Sequence, residues 1–201
     1  MAAEMLEGHT GTAMAETLPT PPAGKLTRDE YRRWAEAQPR SRAERIDGEV
    51  VAMSPERIAR AEIKAAAWLA LRQAIKASGV VCQALPDGIT VEVDEHTDFE
   101  PDAIVNCGDR PDGHAVAAPN PVVVVEVTSP GTRSVDTGYK LTGYVRVPSI
   151  RHYLIVLTDR RMVVHHARRD DGGIETRMVA SGRVEMDPPG IAISVEELFE
   201  A

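Results

Sequence analysis

Five of the six residues 122–127 are valine, and the exception, Glu126, is a carboxylate. A continuous β-branched run of this kind belongs to a strand covered on both faces, so the chain must build layers around a sheet. An unpartnered carboxylate inside such a strand costs several kcal/mol, on the order of the desolvation penalty of a buried polar or charged group. Glu126 must therefore meet a cation, a metal ion or hydrogen-bond donors. Strand alternation places it on the face of Val124 and Thr128. The plainer alternative is a strand end where Glu126 surfaces, or pairs with a single arginine.

A second acid strengthens the first reading. Asp102 follows Pro101 and opens the apolar stretch Ala103, Ile104, Val105, with Glu100 two residues earlier on the same face. Proline is tolerated at the start of a strand. Lys140 then falls on the helix expected directly after the Glu126 strand. Asp136, four residues before Lys140, supplies an ordinary helix ion pair as a competing explanation. Two strand carboxylates with a nearby lysine make a site for phosphodiester hydrolysis. Hard divalent cations such as Mg²⁺ or Mn²⁺ take oxygen ligands. The metal polarises the phosphoryl group and acidifies a bound water, while the lysine orients that water or stabilises developing charge.

The rest of the chain reads as one domain over 25–201 behind a disordered leader, 1–24, rich in Gly, Thr, Ala and Pro. Thr27 and Glu30 have capping-box spacing ahead of a short helix carrying Tyr31 and Trp34. Asp47-Gly48 predicts a β-hairpin over 45–53. Ile63, Ala67, Leu71 and Ile75 recur every fourth residue and predict a long helix over 56–78, closed by Gly79. Strands are expected at 80–83 and 89–93 (as a pair), 102–106, 122–127, 152–157, 162–167 and 174–180. Further helices are expected at 135–145 and 195–199. The class is α/β (α+β), a mixed sheet with two principal helices and an N-terminal β-hairpin.

With 201 residues, 43% of them hydrophobic, the chain can bury a real core. Its net charge of -8 counts against a broad basic face that binds nucleic acid non-specifically. No apolar run approaches the roughly 20 residues of a membrane span, and the acidic start is no secretory signal. A cytoplasmic protein without membrane contact is expected. Cys82 and Cys107 lack metal-ligand spacing and read as two buried, reduced thiols. His165 and His166 are adjacent in a strand, point to opposite faces and cannot readily share a metal. His152 reads as structural. Arg160-Arg161 and Arg168-Arg169 flank the penultimate strand and read as solvated hairpin tips, with phosphate contact as the alternative. Ser129 lacks the glycines of a nucleophile elbow.

Several segments together resemble the Uma-two family, within the PD-(D/E)XK restriction-endonuclease-like nuclease superfamily. They are the entry from Glu44 through Asp47-Gly48-Glu49 to Ser54-Pro55, then Pro101-Asp102, then Glu126-Val127-Thr128-Ser129. Asp136 through Lys140-Leu141 to Tyr144 follows, and the series closes with 148–156. The resemblance covers about 26–199. It implies a restriction-endonuclease-like core, a homodimer, and a Mg²⁺- or Mn²⁺-dependent endonuclease acting on DNA. Carried over by position, Asp102 and Glu126 are metal ligands, Lys140 is the catalytic lysine, and Glu49 is a further acid of the site. The superfamily's usual lysine position is Thr128 here, and the family supplies its lysine from the following helix instead. Arg60 stands where the family has a histidine. It cannot ligate a metal or act as a base near neutral pH, though it could hold a phosphate. The alternative is a nuclease-fold protein that binds nucleic acid or a protein partner without cleaving. A third reading makes Glu126 and Lys140 a purely structural ion pair.

Overall fold

The valine run forms the strand its composition demands, with all eight residues of Pro121–Thr128 buried. The computed structural model describes residues 22–38, 42–53, 55–128 and 135–200; side chains at 135–137 are left out of the description. The leader to 21, Ser54 and the 129–134 segment, with Ser129, lie outside these residues, as does the Asp136 side chain.

The first helix, α1 (Arg28–Glu36), starts with the expected capping box between Thr27 and Glu30. Asp47 and Gly48 both take positive φ, 51 and 85°, and fold β1 (Ala43–Ile46) onto β2 (Glu49–Ala52). The long helix α2 (Ile58–Ser78) ends where Gly79 turns left-handed. Four strands follow: β3 (Cys82–Pro86), β4 (Val91–Glu92), β5 (Asp98–Phe99) and β6 (Ala103–Cys107). The valine strand is β7 (Pro121–Thr128). A π-helical turn, Val135–Lys140, runs into α3 (Leu141–Arg146). The chain then forms β8 (His152–Leu157), β9 (Met162–Arg168), β10 (Ile174–Val179), β11 (Arg183–Met186) and β12 (Ile191–Ser194). A short 3₁₀ turn, Glu196–Leu198, follows.

The main sheet has the order β10-β9-β8-β7-β6-β3. It is mixed, because β7 and β8 run parallel while the other pairs are antiparallel. A parallel pair needs a crossover, and that crossover carries the π turn and α3. One face is covered by α2, through Ala67, Leu71 and Ile75, and by the β11–β12 hairpin. The other is covered by α3 and by the small sheet β2-β1-β5-β4, through Tyr144, Phe99 and Val91. This mixed α+β architecture is the expected class. Among the described residues, no helix is long and apolar enough to cross a membrane.

Two local expectations are corrected, and one hairpin is added. The strands after α2 do not pair with each other: β3 joins the edge of the main sheet beside β6, and β4 joins the small sheet beside β5. The cysteines are not separate reduced thiols. Cys82 and Cys107 stand directly opposite in the β3–β6 register and form a disulfide, with S–S 2.00 Å. The β11–β12 hairpin around Pro188-Pro189-Gly190 was not expected, because two prolines in its turn hide the strand pattern on either side.

Candidate active site

Glu126 is 2% exposed and is satisfied by two residues of one helical face. Its Oε1 accepts from the Lys140 ammonium at 2.8 Å and from the Tyr144 hydroxyl at 2.7 Å. Lys140 and Tyr144 are four apart, which brings both to the same side of the crossover helix. Burial first, and then the Glu126 charge, push the Tyr144 phenol well above its usual pKa, so it stays a donor. Lys140 also meets Glu44 Oε1 at 2.8 Å and lies 5.6 Å from the centre of the Phe99 ring. Glu44, buried on β1, accepts the Glu100 N–H at 2.9 Å as well.

Asp102 sits just before β6. Ala103 pairs with Val125, which puts Asp102 on the rung of Glu126. Yet its carboxylate, 1% exposed, turns toward α2 rather than α3. Oδ2 accepts the Val127 N–H at 2.6 Å and Arg60 Nη2 at 3.1 Å, and Oδ1 meets Lys64 Nζ at 2.7 Å. Arg60 Nε donates to the Val127 carbonyl at 2.7 Å, and its Nη1 reaches Glu56 at 3.2 Å. Lys64 is gripped by Glu56 and by Asp87 in addition to Asp102. Burial works against the Lys64 ammonium, but Asp102, Glu56 and Asp87 outweigh it and raise its pKa. Burial also opposes the Glu56 and Asp87 charges, and Lys64 and the nearby arginines nonetheless hold both below the usual carboxylate range. A cavity of about 280 Å³ adjoins this cluster, lined by Arg42, Glu56, Lys64, Trp68, Asp87 and Asp102.

The structure thus joins Glu126 to Lys140 and Asp102 to Arg60. It divides the two acids between two cation systems. Glu49 is exposed on β2, and among the described residues no hydrogen bond or ion pair links it to either cluster. The hairpin contributes Glu44 instead. Tyr144 and Lys64 were also missed; the four-residue spacing from Lys140 and from Arg60 was the available signal. His165 faces His152 while His166 stacks on Tyr153, so the two do point apart. Arg161 and Arg168 bond backbone carbonyls of Phe199 and Ile150 and act as tethers.

Against known proteins, the family profile Uma2, described as "Putative restriction endonuclease", matches residues 28–198. An uncharacterized protein of Synechocystis sp. is 27% identical over 191 residues, covering 90% of this chain and 95% of that protein. A crystal structure from Anabaena variabilis, titled "a putative nuclease belonging to DUF820", matches with TM-score 0.67 at 17% identity. That match covers 87% of this chain and 97% of the other, and it shows a shared fold.

Proposed function

This chain belongs to the Uma2 family, and from that membership we propose that it is a divalent-metal-dependent endonuclease that hydrolyses phosphodiester bonds in DNA. The observation that supports this most is the meeting of Lys140 and Glu126 at 2.8 Å, on the rung that also carries Asp102. Strand, neighbouring strand and crossover helix deliver two acids and a lysine to one end of the sheet. A core that needed only stability would be served as well by apolar side chains there.

The oxygen chemistry of Asp102 and Glu126 suits Mg²⁺ or Mn²⁺. The arrangement, however, does not fit an ion as it stands. Among the described residues no three His, Cys, Asp or Glu side chains gather closely enough to hold a metal. Arg60, Lys64 and the Val127 N–H engage Asp102, while Lys140 and Tyr144 engage Glu126. What the chain's own groups do is clearer. Lys140 places a fixed positive charge beside Glu126, where negative charge on a phosphoryl oxygen would be stabilised. Tyr144 donates to Glu126 and fixes its orientation, and Glu44 fixes Lys140.

A second reading, a nuclease-fold protein that binds nucleic acid or a protein partner without cleaving, is favoured by burial. Asp102, Glu126 and Lys140 are 1, 2 and 4% exposed. Plasmid nicking in Mn²⁺, with wild type and Glu126→Gln compared, separates the two. We expect nicking by the wild type and none by a folded Glu126→Gln. Gel-shift binding of DNA without nicking in the wild type would select the second reading. Neither binding nor nicking would remove DNA as the substrate.

A further inference from the structure

Arg60 is a three-way fork. Its Nε donates to the Val127 carbonyl at 2.7 Å, its Nη2 to Asp102 at 3.1 and 3.4 Å, and its Nη1 to Glu56 at 3.2 Å. The first two partners are hard oxygens at the Glu126 end of β7, the kind a divalent cation takes. A guanidinium has already claimed both. From these contacts we infer that Arg60 is an internal competitor for the divalent ion: an ion drawn to Asp102 beside Glu126 must first displace its guanidinium.

Two cations hold Asp102, and only one of them is free to leave. Lys64 is 7% exposed and clasped by three carboxylates, so withdrawing it takes a cation from Glu56, Asp87 and Asp102 at once. Arg60 is 21% exposed and sits one helical turn nearer the start of α2. Its long side chain can swing into water, where a guanidinium is readily solvated. A histidine or lysine in this place could shed its charge by losing a proton. Arginine does not deprotonate in proteins, so a change of pH cannot clear the position. Glu56 strengthens the hold, because it pairs with Arg60 at i,i+4 and anchors the fork from the outer side. The result is a site whose metal affinity is set by exchange of one positive group for another rather than by filling an empty cage.

The inference rests on the reading of Asp102 and Glu126 as the metal-binding pair, and the test keeps the two apart. Mn²⁺ is titrated calorimetrically into wild type, Arg60→Gln, and Arg60→Gln combined with Asp102→Asn, each checked for folding by circular dichroism. Arg60→Gln is expected to bind Mn²⁺ about tenfold more tightly or better, the scale of releasing a charged hydrogen-bonded group from competition. The added Asp102→Asn is expected to abolish that gain. Equal affinity in wild type and Arg60→Gln overturns the competitor role and leaves the metal reading standing. A gain that survives Asp102→Asn also overturns it, since the ion then binds elsewhere. No binding in either protein overturns both. Should Arg60→Gln fail to fold, Arg60→Lys keeps the charge but loses the fork, and a smaller gain over wild type is expected; no gain overturns the inference.

Discussion

Lys140 shows what a buried cation does for its neighbours. Two carboxylates, Glu126 and Glu44, point at one ammonium that is 4% exposed. Lys140→Met keeps the volume and removes the charge, leaving the acids together without their cation. Stripping one partner from a buried ionic group costs about 3–5 kcal/mol. Urea unfolding at pH 7 should show a loss of that order. Glu126, Asp102 and Lys140 could be picked out from sequence because charge inside apolar stretches is conspicuous. Glu44 could not be told from Glu49 for a physical reason. The hairpin was legible, but which of its strands lies inside was not. β1 is flanked by β2 and β5 and is covered on both sides, whereas β2 is an edge strand.

The crossover between β7 and β8 is the element that makes the cluster possible, and Gly143 lets it sit where it does. A Cβ at Gly143 would lie 2.4 Å from the Phe99 ring. Gly143→Ala should therefore push α3 off the small sheet, cost about 1–3 kcal/mol as an overpacked contact does, and move Lys140 and Tyr144 relative to Glu126. Thermal melting and plasmid nicking together would register both effects. Gly138→Ala is the control, since a Cβ there meets nothing within 4 Å and its melting should be little changed. The crossover helix was visible in the sequence, though not its opening π turn, which depends on tertiary packing rather than on local pattern. The same limit explains the error over β3 and β4. Each reads as a strand, but strand propensity carries no information about partner, and the two go to different sheets.

Across the whole molecule, histidines tie the β11–β12 hairpin to the main sheet. The Pro188 carbonyl can only accept, so His152 donates to it from Nε2, and a neutral His152 then accepts at Nδ1 from His165 Nε2. Burial, reinforced by His152 and Arg177, pushes the His165 imidazole down to about 4. Burial lowers His152 and His166 as well. An unfolded imidazole takes up its proton near 6.5, roughly its unperturbed value. Unfolding therefore binds a proton between about pH 6.5 and 4, and stability is full above that window and lost as pH falls through it. Within that window the slope is about 1.4 kcal/mol per pH unit for His165. Melting temperatures should decline across that range, and His165→Leu should flatten the decline.

The bond between Cys82 and Cys107 has a topological meaning beyond its place in the register. It closes 82–107 into a ring, and β4, β5, Glu100 and Asp102 all lie on that ring. Glu126, Lys140, Arg60 and Lys64 lie off it. A break in the backbone anywhere around the ring sets nothing loose, because both new ends are still joined through sulfur. A break in the 108–120 connection parts the chain in two. Asp102 is thus held by two routes, along the chain and around the loop, while the groups that bind it are held by one.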